Sequence, residues 1–148
     1  MPVLFRGAST CLFVQISRAG GSSLLRLARS AGWRVEMSIS GMSADRLSAL
    51  SCSPQHYHWD ILSRIVVPEA MDAIVAITRH PIARFLSEHG WQSNQGLTDL
   101  PLDAWAENAL DAAAANAFAF DNRLRPQSQF LPREFLSSLS VFKLEDRG

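Results

Sequence analysis

The stretch Ser17-Arg-Ala-Gly-Gly-Ser-Ser23 gathers residue types that suit an anion. Arg18 carries a fixed, forked positive charge, and Ser22 and Ser23 add hydroxyl donors. Gly20 and Gly21 permit backbone conformations and close approaches that a Cβ obstructs. An apolar run, Cys11 to Ile16, precedes the turn and Leu24 to Ala31 follows it with helical character. Strand, glycine turn and helix N-terminus together make a phosphate-type site, because unpaired N–H groups of the first helical turn face the anion. A second set lies in Arg79-His-Pro-Ile-Ala-Arg-Phe-Leu-Ser87, where Arg79 ends an apolar strand and Arg84 and Ser87 share a helix face. A third is the pair His56 and His58 around Tyr57, whose imidazoles suit general-base work near neutral pH.

These residues need a scaffold, and the apolar periodicity supplies one. Strands are expected at Leu12–Ile16, Arg34–Met37, Ala73–Thr78 and Ser140–Lys143, and helices at Ser22–Ala31, Ala44–Ser51, His58–Val66, Ile82–Gln92 and Leu102–Ala115. Strands alternating with helices predict an α/β fold with a mainly parallel sheet flanked by helices on both faces. Pro81 sits at the first position of a helix, where its missing N–H costs nothing. Ser38–Ser43 and Leu97–Pro101 read as connectors, and residues 1–148 read as a single domain. A parallel α/β domain places another helix after a strand such as Ser140–Lys143, so the C-terminus is expected to be incomplete.

Composition narrows the classes of partner. Lys+Arg and Asp+Glu are both 14, so no overall field favours nucleic acid or an anionic membrane, and anion binding must come from a local cluster. Lys143 is the sole lysine, and the arginine bias favours planar, forked recognition of oxyanions. Cys11 and Cys52 lack metal-ligand spacing and read as free thiols. The run Cys11–Ile16 is too short to span a bilayer, and the N-terminus lacks a secretory pattern, so a cytoplasmic protein is expected.

Two anion sites at strand ends suggest a ligand with phosphates at both ends of its ribose. Here the chain resembles the sulfotransferases that use 3′-phosphoadenosine-5′-phosphosulfate (PAPS), in the branch related to carbohydrate and heparan sulfate sulfotransferases. That branch opens with Ile-Pro-Lys-Thr-Gly-Gly-Thr-Ser, matched by Ile16-Ser-Arg-Ala-Gly-Gly-Ser-Ser23. Its second motif, Arg-(Asp/Asn)-Pro-x-x-Arg-Phe-x-Ser, is matched by Arg79 to Ser87. Cys52-Ser-Pro-Gln-His-Tyr-His58, Asp121-Asn-Arg-Leu-Arg-Pro-Gln127 and Val141-Phe-Lys-Leu-Glu-Asp146 also look like stretches of the family, in its order.

The resemblance implies a P-loop-like fold and a role for each matched position. Arg18, Ala19, Gly20, Gly21, Ser22 and Ser23 would form the loop around the 5′-phosphosulfate, and Arg79 and Ser87 would hold the 3′-phosphate. A sulfuryl group would pass from PAPS to a hydroxyl of a saccharide or glycan-like acceptor, without a metal. Arg18, His56 and His58 would be the catalytic residues, with His56 favoured as base. Glu88 is an outside candidate for that base, against the blander reading of an exposed helix charge. Trp91, with Gln92 and Gln95, is a candidate wall for a sugar. The pattern departs at Arg18, where the family has lysine: arginine still clamps phosphate but does not give up its proton, so binding should survive better than rate. Ser17, Ala19, His80 and Arg123 depart as well. A degenerate member that binds nucleotide without turnover is therefore the alternative. A P-loop kinase or NTPase is disfavoured, since the turn lacks the GxxxxGK[ST] lysine.

Overall fold

A computed structural model describes residues 1–39 and 42–146. Residues 40 and 41 of the Ser38–Ser43 connector lie outside the described residues. The chain opens with a hairpin, β1 (Val3–Arg6) and β2 (Ser9–Val14), turned at Gly7 with φ of 59°. It continues through α1 (Gly21–Ser30), β3 (Arg34–Glu36), α2 (Ala44–Ser48), α3 (Trp59–Leu62), β4 (Ala73–Thr78), α4 (Pro81–Asn94), α5 (Leu102–Ala115) and β5 (Leu139–Lys143). The strands form one sheet in the order β3-β1-β2-β4-β5.

The sheet is mixed rather than mainly parallel. β2, β4 and β5 pair in parallel, whereas β1 lies between β3 and β2 and runs antiparallel to both. β1 was not expected, because Val3-Leu-Phe5 is an apolar run of only three residues before Arg6, too short for periodicity to assign. Gly7 marks the turn that makes it a hairpin partner. α2 and α3 are also shorter than expected: Ala44–Ser51 contracts to Ala44–Ser48 and His58–Val66 to Trp59–Leu62.

Alternation along the strands buries both faces of the sheet. Val3, Leu12, Val14, Ile74 and Ala76 join Trp59, Leu62 and Phe130 in one core cluster. Leu4 and Phe13 pack with Leu25 and Ala28 of α1 in a second cluster on the opposite face. The helix α4 is amphipathic in reverse. Its buried residues are Arg84, Glu88 and Gln92, spaced four apart on one face, while Ile82 and Leu86 are exposed. A polar stripe turned inward requires polar partners, and these lie in the loops around the carboxyl ends of β2 and β4. Among the described residues no helix is long and apolar enough to cross a membrane.

Candidate functional site

A cavity of about 650 Å³ opens beyond the carboxyl ends of β2 and β4, where open α/β sheets present ligand sites. Arg18, Gly20, Gly21, Ser22 and Ser23 line it on one side, Arg79, Ser87 and Trp91 on another, and Gln55, His56 and Arg123 on a third. Ala19 is placed apart from these, buried in the core with its N–H donated to the Ile16 carbonyl at 3.3 Å. Four arginines line the cavity, Arg18, Arg29, Arg79 and Arg123. Among the described lining residues there is no aspartate or glutamate. In a chain of zero formal net charge, that asymmetry marks a local anion site.

The turn after β2 owes its shape to backbone freedom. Gly20 caps α1 in the left-handed region with φ of 85°, and Arg18 is left-handed too, with φ of 61°. The N–H groups of Ser23 and Leu24 both reach the Gly20 carbonyl, at 3.0 and 3.2 Å. No acidic residue occupies the first turn of α1, so its positive end stays available to a ligand. At Gly21 an added Cβ would fall 2.9 Å from Gln15 Cγ. Gln15 is itself buried, lines the cavity, and has no partner for Oε1 among the described residues. Glycine is thus required at both positions, for conformation at one and for space at the other.

The second anion set is tied to the first. Ser87 Oγ accepts hydrogen bonds from Arg18 Nε and Nη2 at 3.2 and 3.1 Å. Arg79 Nη1 donates to the Arg18 carbonyl at 3.1 Å. The backbone of Arg79 is fixed by Gln127, whose Oε1 accepts its N–H and whose Nε2 donates to its carbonyl. The Arg125-Pro-Gln127 turn therefore acts on the site by holding Arg79. Glu145 Oε1 accepts the His80 N–H at 2.7 Å, a structural role at the start of α4, and this bond lowers the carboxyl pKa.

Arg84 does not line this cavity; it is buried and binds three backbone carbonyls. Its Nε donates to Ser17, Nη1 to Arg125 and Nη2 to Arg123, so one guanidinium ties the turn after β2 to the segment that follows α5. Burial lowers its pKa to about 10, with Glu88 acting in the opposite sense. Glu88 is buried too, at 1% exposure, which replaces the exposed helix charge of the blander reading. Gln92 Nε2 donates to it at 2.9 Å, Arg123 Nη1 lies 3.4 Å away and Arg18 Nε 3.9 Å away. It is the internal counter-charge that holds cavity arginines in place. Trp91 presents its ring to Arg123 at 4.0 Å, whereas Gln92 is committed to Glu88 and Trp105, and exposed Gln95 closes the end of α4. Of the three candidate sugar contacts, only Trp91 borders the cavity.

The two histidines are placed differently. His56 borders the cavity, and its Nδ1 lies 2.8 Å from Asp121 Oδ2. Asp121 also accepts the Ser53 N–H at 2.5 Å and the Ser53 hydroxyl at 2.7 Å. Burial pushes the Asp121 carboxyl up, but the bonds from His56 and Ser53 outweigh it and leave the pKa at about 2. His58 does not border the cavity; its ring packs on Phe118 with centroids 5.7 Å apart. Its Nδ1 is 3.2 Å from Asn122 Nδ2, and burial together with Arg125 lowers its pKa.

The structure thus gathers Arg18, Gly20, Gly21, Ser22, Ser23, His56, Arg79 and Ser87 around one cavity and leaves Ala19 and His58 outside it. Sequence reasoning gave no site role to Gln15, Arg29 or Asp121. Asp121 lay within a motif already noted, but its meeting with His56 spans 65 residues and no local pattern encodes it. No family model, curated protein or solved structure matches this chain.

Proposed function

We propose that this protein is a sulfotransferase that takes a sulfuryl group from PAPS to a hydroxyl of a saccharide or glycan-like acceptor. The observation that carries the reading is the cavity with four arginines and no carboxylate in its described lining, set at the start of a glycine-capped helix. The fit to a doubly phosphorylated nucleotide rests on this chain's own features. At Gly20 and Gly21 an added Cβ would crowd Leu144 and Gln15, so glycine keeps the turn close to the head of α1, whose free N–H groups meet the needs of a phosphate-bearing ligand. The motif resemblance assigns the 5′ end to Arg18 and Gly20–Ser23 and the 3′-phosphate to Arg79 and Ser87.

Bound, the donor supplies a sulfuryl group that passes to the acceptor oxygen as its bond to the bridging phosphate oxygen breaks, the electron pair staying with the phosphate. The protein's share is electrostatic and positional. Arg18 and the first turn of α1 offset negative charge developing on the 5′-phosphate, while Arg79 holds the 3′ end of the nucleotide. His56 receives the proton of the acceptor hydroxyl. A second reading has its own observation: Arg18, where the family has lysine, is engaged with Ser87 and lies near Glu88. Such a residue suits retention of nucleotide better than rapid transfer.

Calorimetric titration with adenosine 3′,5′-bisphosphate, without magnesium and beside AMP and ATP, tests the reading. Selective binding of the bisphosphate is expected. Equal binding of all three, or none by a folded protein, would overturn it.

A further inference from the structure

We propose that the stretch Phe120-Asp121-Asn122 fixes His56 and His58 in opposite tautomers, with Asp121 as the positioning residue that leaves a bare His56 Nε2 at the cavity. The assignment of a catalytic consequence rests on the sulfotransferase reading; the assignment of tautomers does not.

The stretch is conspicuous in its backbone. Phe120, Asp121 and Asn122 all lie in the left-handed region, with φ of 53°, 58° and 65°. One such asparagine or aspartate is ordinary, but three in a row including a phenylalanine are not. Conformations of this kind persist where the surroundings over-determine them. Here they bring two adjacent side chains to two different imidazoles. Asp121 meets His56 Nδ1 at 2.8 Å and Asn122 meets His58 Nδ1 at 3.2 Å.

The donor and acceptor roles then follow by elimination. The Asp121 carboxylate can only accept, and it already accepts from the Ser53 N–H and hydroxyl. His56 Nδ1 must therefore carry a proton, and Nε2 of the neutral ring is an acceptor. Gln55 Nε2, 3.5 Å from that Nε2, is a donor that agrees with this, and both residues border the cavity.

Asn122 is oriented by two other groups. Its Nδ2 donates to the His56 carbonyl at 2.7 Å, and its Oδ1 accepts from Arg125 Nε. The group facing His58 is thus the amide nitrogen, a donor, so His58 Nδ1 is bare and Nε2 carries the proton. That Nε2–H faces the Asp60 carboxylate, with Oδ2 4.0 Å away, and His58 is buried outside the cavity. One histidine is left able to take a proton from a ligand hydroxyl, and the other is held away from the cavity.

Long-range proton–nitrogen correlation spectra of the ¹⁵N-labelled full chain at about pH 8 test this, with assignments from His56→Gln and His58→Gln. We expect His56 protonated on Nδ1 and His58 on Nε2. Asp121→Asn keeps Oδ1 for the Ser53 N–H and turns an amide donor toward His56 Nδ1, so His56 should switch to the Nε2–H form. Asn122→Asp removes the donor facing His58 and should switch His58 alone. The same tautomer in both native rings, or a His56 unmoved by Asp121→Asn, overturns the proposal.

With PAPS and a saccharide acceptor, Asp121→Asn should lower kcat by about 10²–10⁴-fold, the usual share of a general base, while bisphosphate affinity stays within roughly twofold. A reversed tautomer with kcat retained overturns the positioning role. Should the bisphosphate fail to bind the native protein, the sulfotransferase reading falls, and the spectra still decide the tautomers.

Discussion

The turn after β2 and the segment Phe120–Gln127 both border the cavity, and both hold non-glycine residues in left-handed conformations. They contribute in different ways. The turn works through its backbone: glycines at 20 and 21 leave room, and a helix N-terminus presents its N–H groups. The later segment works through side chains that reach distant partners, Asp121 to His56, Asn122 to His58 and Gln127 to Arg79. An anion can be held by main chain alone, whereas an imidazole must be aimed by another side chain. Arg84 joins the two regions, with one guanidinium nitrogen on Ser17 and two on Arg123 and Arg125.

Breaking that joint should have the largest effect. Arg84→Met strands three carbonyls and takes one cation from beside buried Glu88, which should cost about 3–5 kcal/mol of stability. Urea midpoints would measure the loss. Arg84→Lys should recover little, because an ammonium does not fork to three carbonyls. A loss below about 1 kcal/mol for either variant would show that the two regions hold their positions independently.

The next perturbation strikes the turn alone. Gly21→Ala places a methyl 2.9 Å from Gln15 Cγ, and buried Gln15 has little room to yield. Overpacking of this kind costs about 1–3 kcal/mol. Bisphosphate affinity should fall with stability, while the His56 tautomer should not move. A shifted tautomer would mean that the regions are coupled more tightly than the comparison allows.

Acid strikes the other region. Asp121 has a folded pKa of about 2, below the ordinary 3.8. A depressed carboxyl stabilises the fold above its ordinary pKa, and that contribution fades as pH falls from about 4 to 2. The shift amounts to roughly 2–3 kcal/mol at most. Urea midpoints taken across this window should drop for the native chain and drop less for Asp121→Asn. Identical slopes would remove Asp121 from the acid response.

The same contrast explains what was legible in the sequence. The turn was readable because glycines, serines and an arginine between a strand and a helix are local signals, and Ala73–Thr78 and Leu102–Ala115 were located to the residue by their apolar patterns. β1 was missed because a four-residue strand has too little periodicity, and its antiparallel pairing turned the expected parallel sheet into a mixed one. Glu88 was misjudged because a charged residue on a helix is ordinarily solvated. Its spacing of four from both Arg84 and Gln92 was the available signal of an inward polar stripe. Asp121 left no such trace, since its partners Ser53 and His56 are 68 and 65 residues away.

The smallest expected effects are those of single cavity cations on ligand binding. Arg79 has its backbone locked by Gln127, and its side chain gives one bond to the Arg18 carbonyl. Arg79→Ala should therefore leave the fold intact and weaken adenosine 3′,5′-bisphosphate about tenfold, the equivalent of roughly 1.4 kcal/mol. Arg29, exposed near the end of α1, borders the cavity with its charge more fully hydrated, so Arg29→Ala should weaken binding only about threefold, and less at high salt. Titrating both variants with the bisphosphate and with AMP separates the two ends of the ligand. Arg79→Ala should erase most of the preference for the bisphosphate, because its proposed partner is the 3′-phosphate that AMP lacks. A preference kept in full would move the 3′-phosphate away from Arg79 and Ser87 toward the other cavity cations, Arg29 and Arg123.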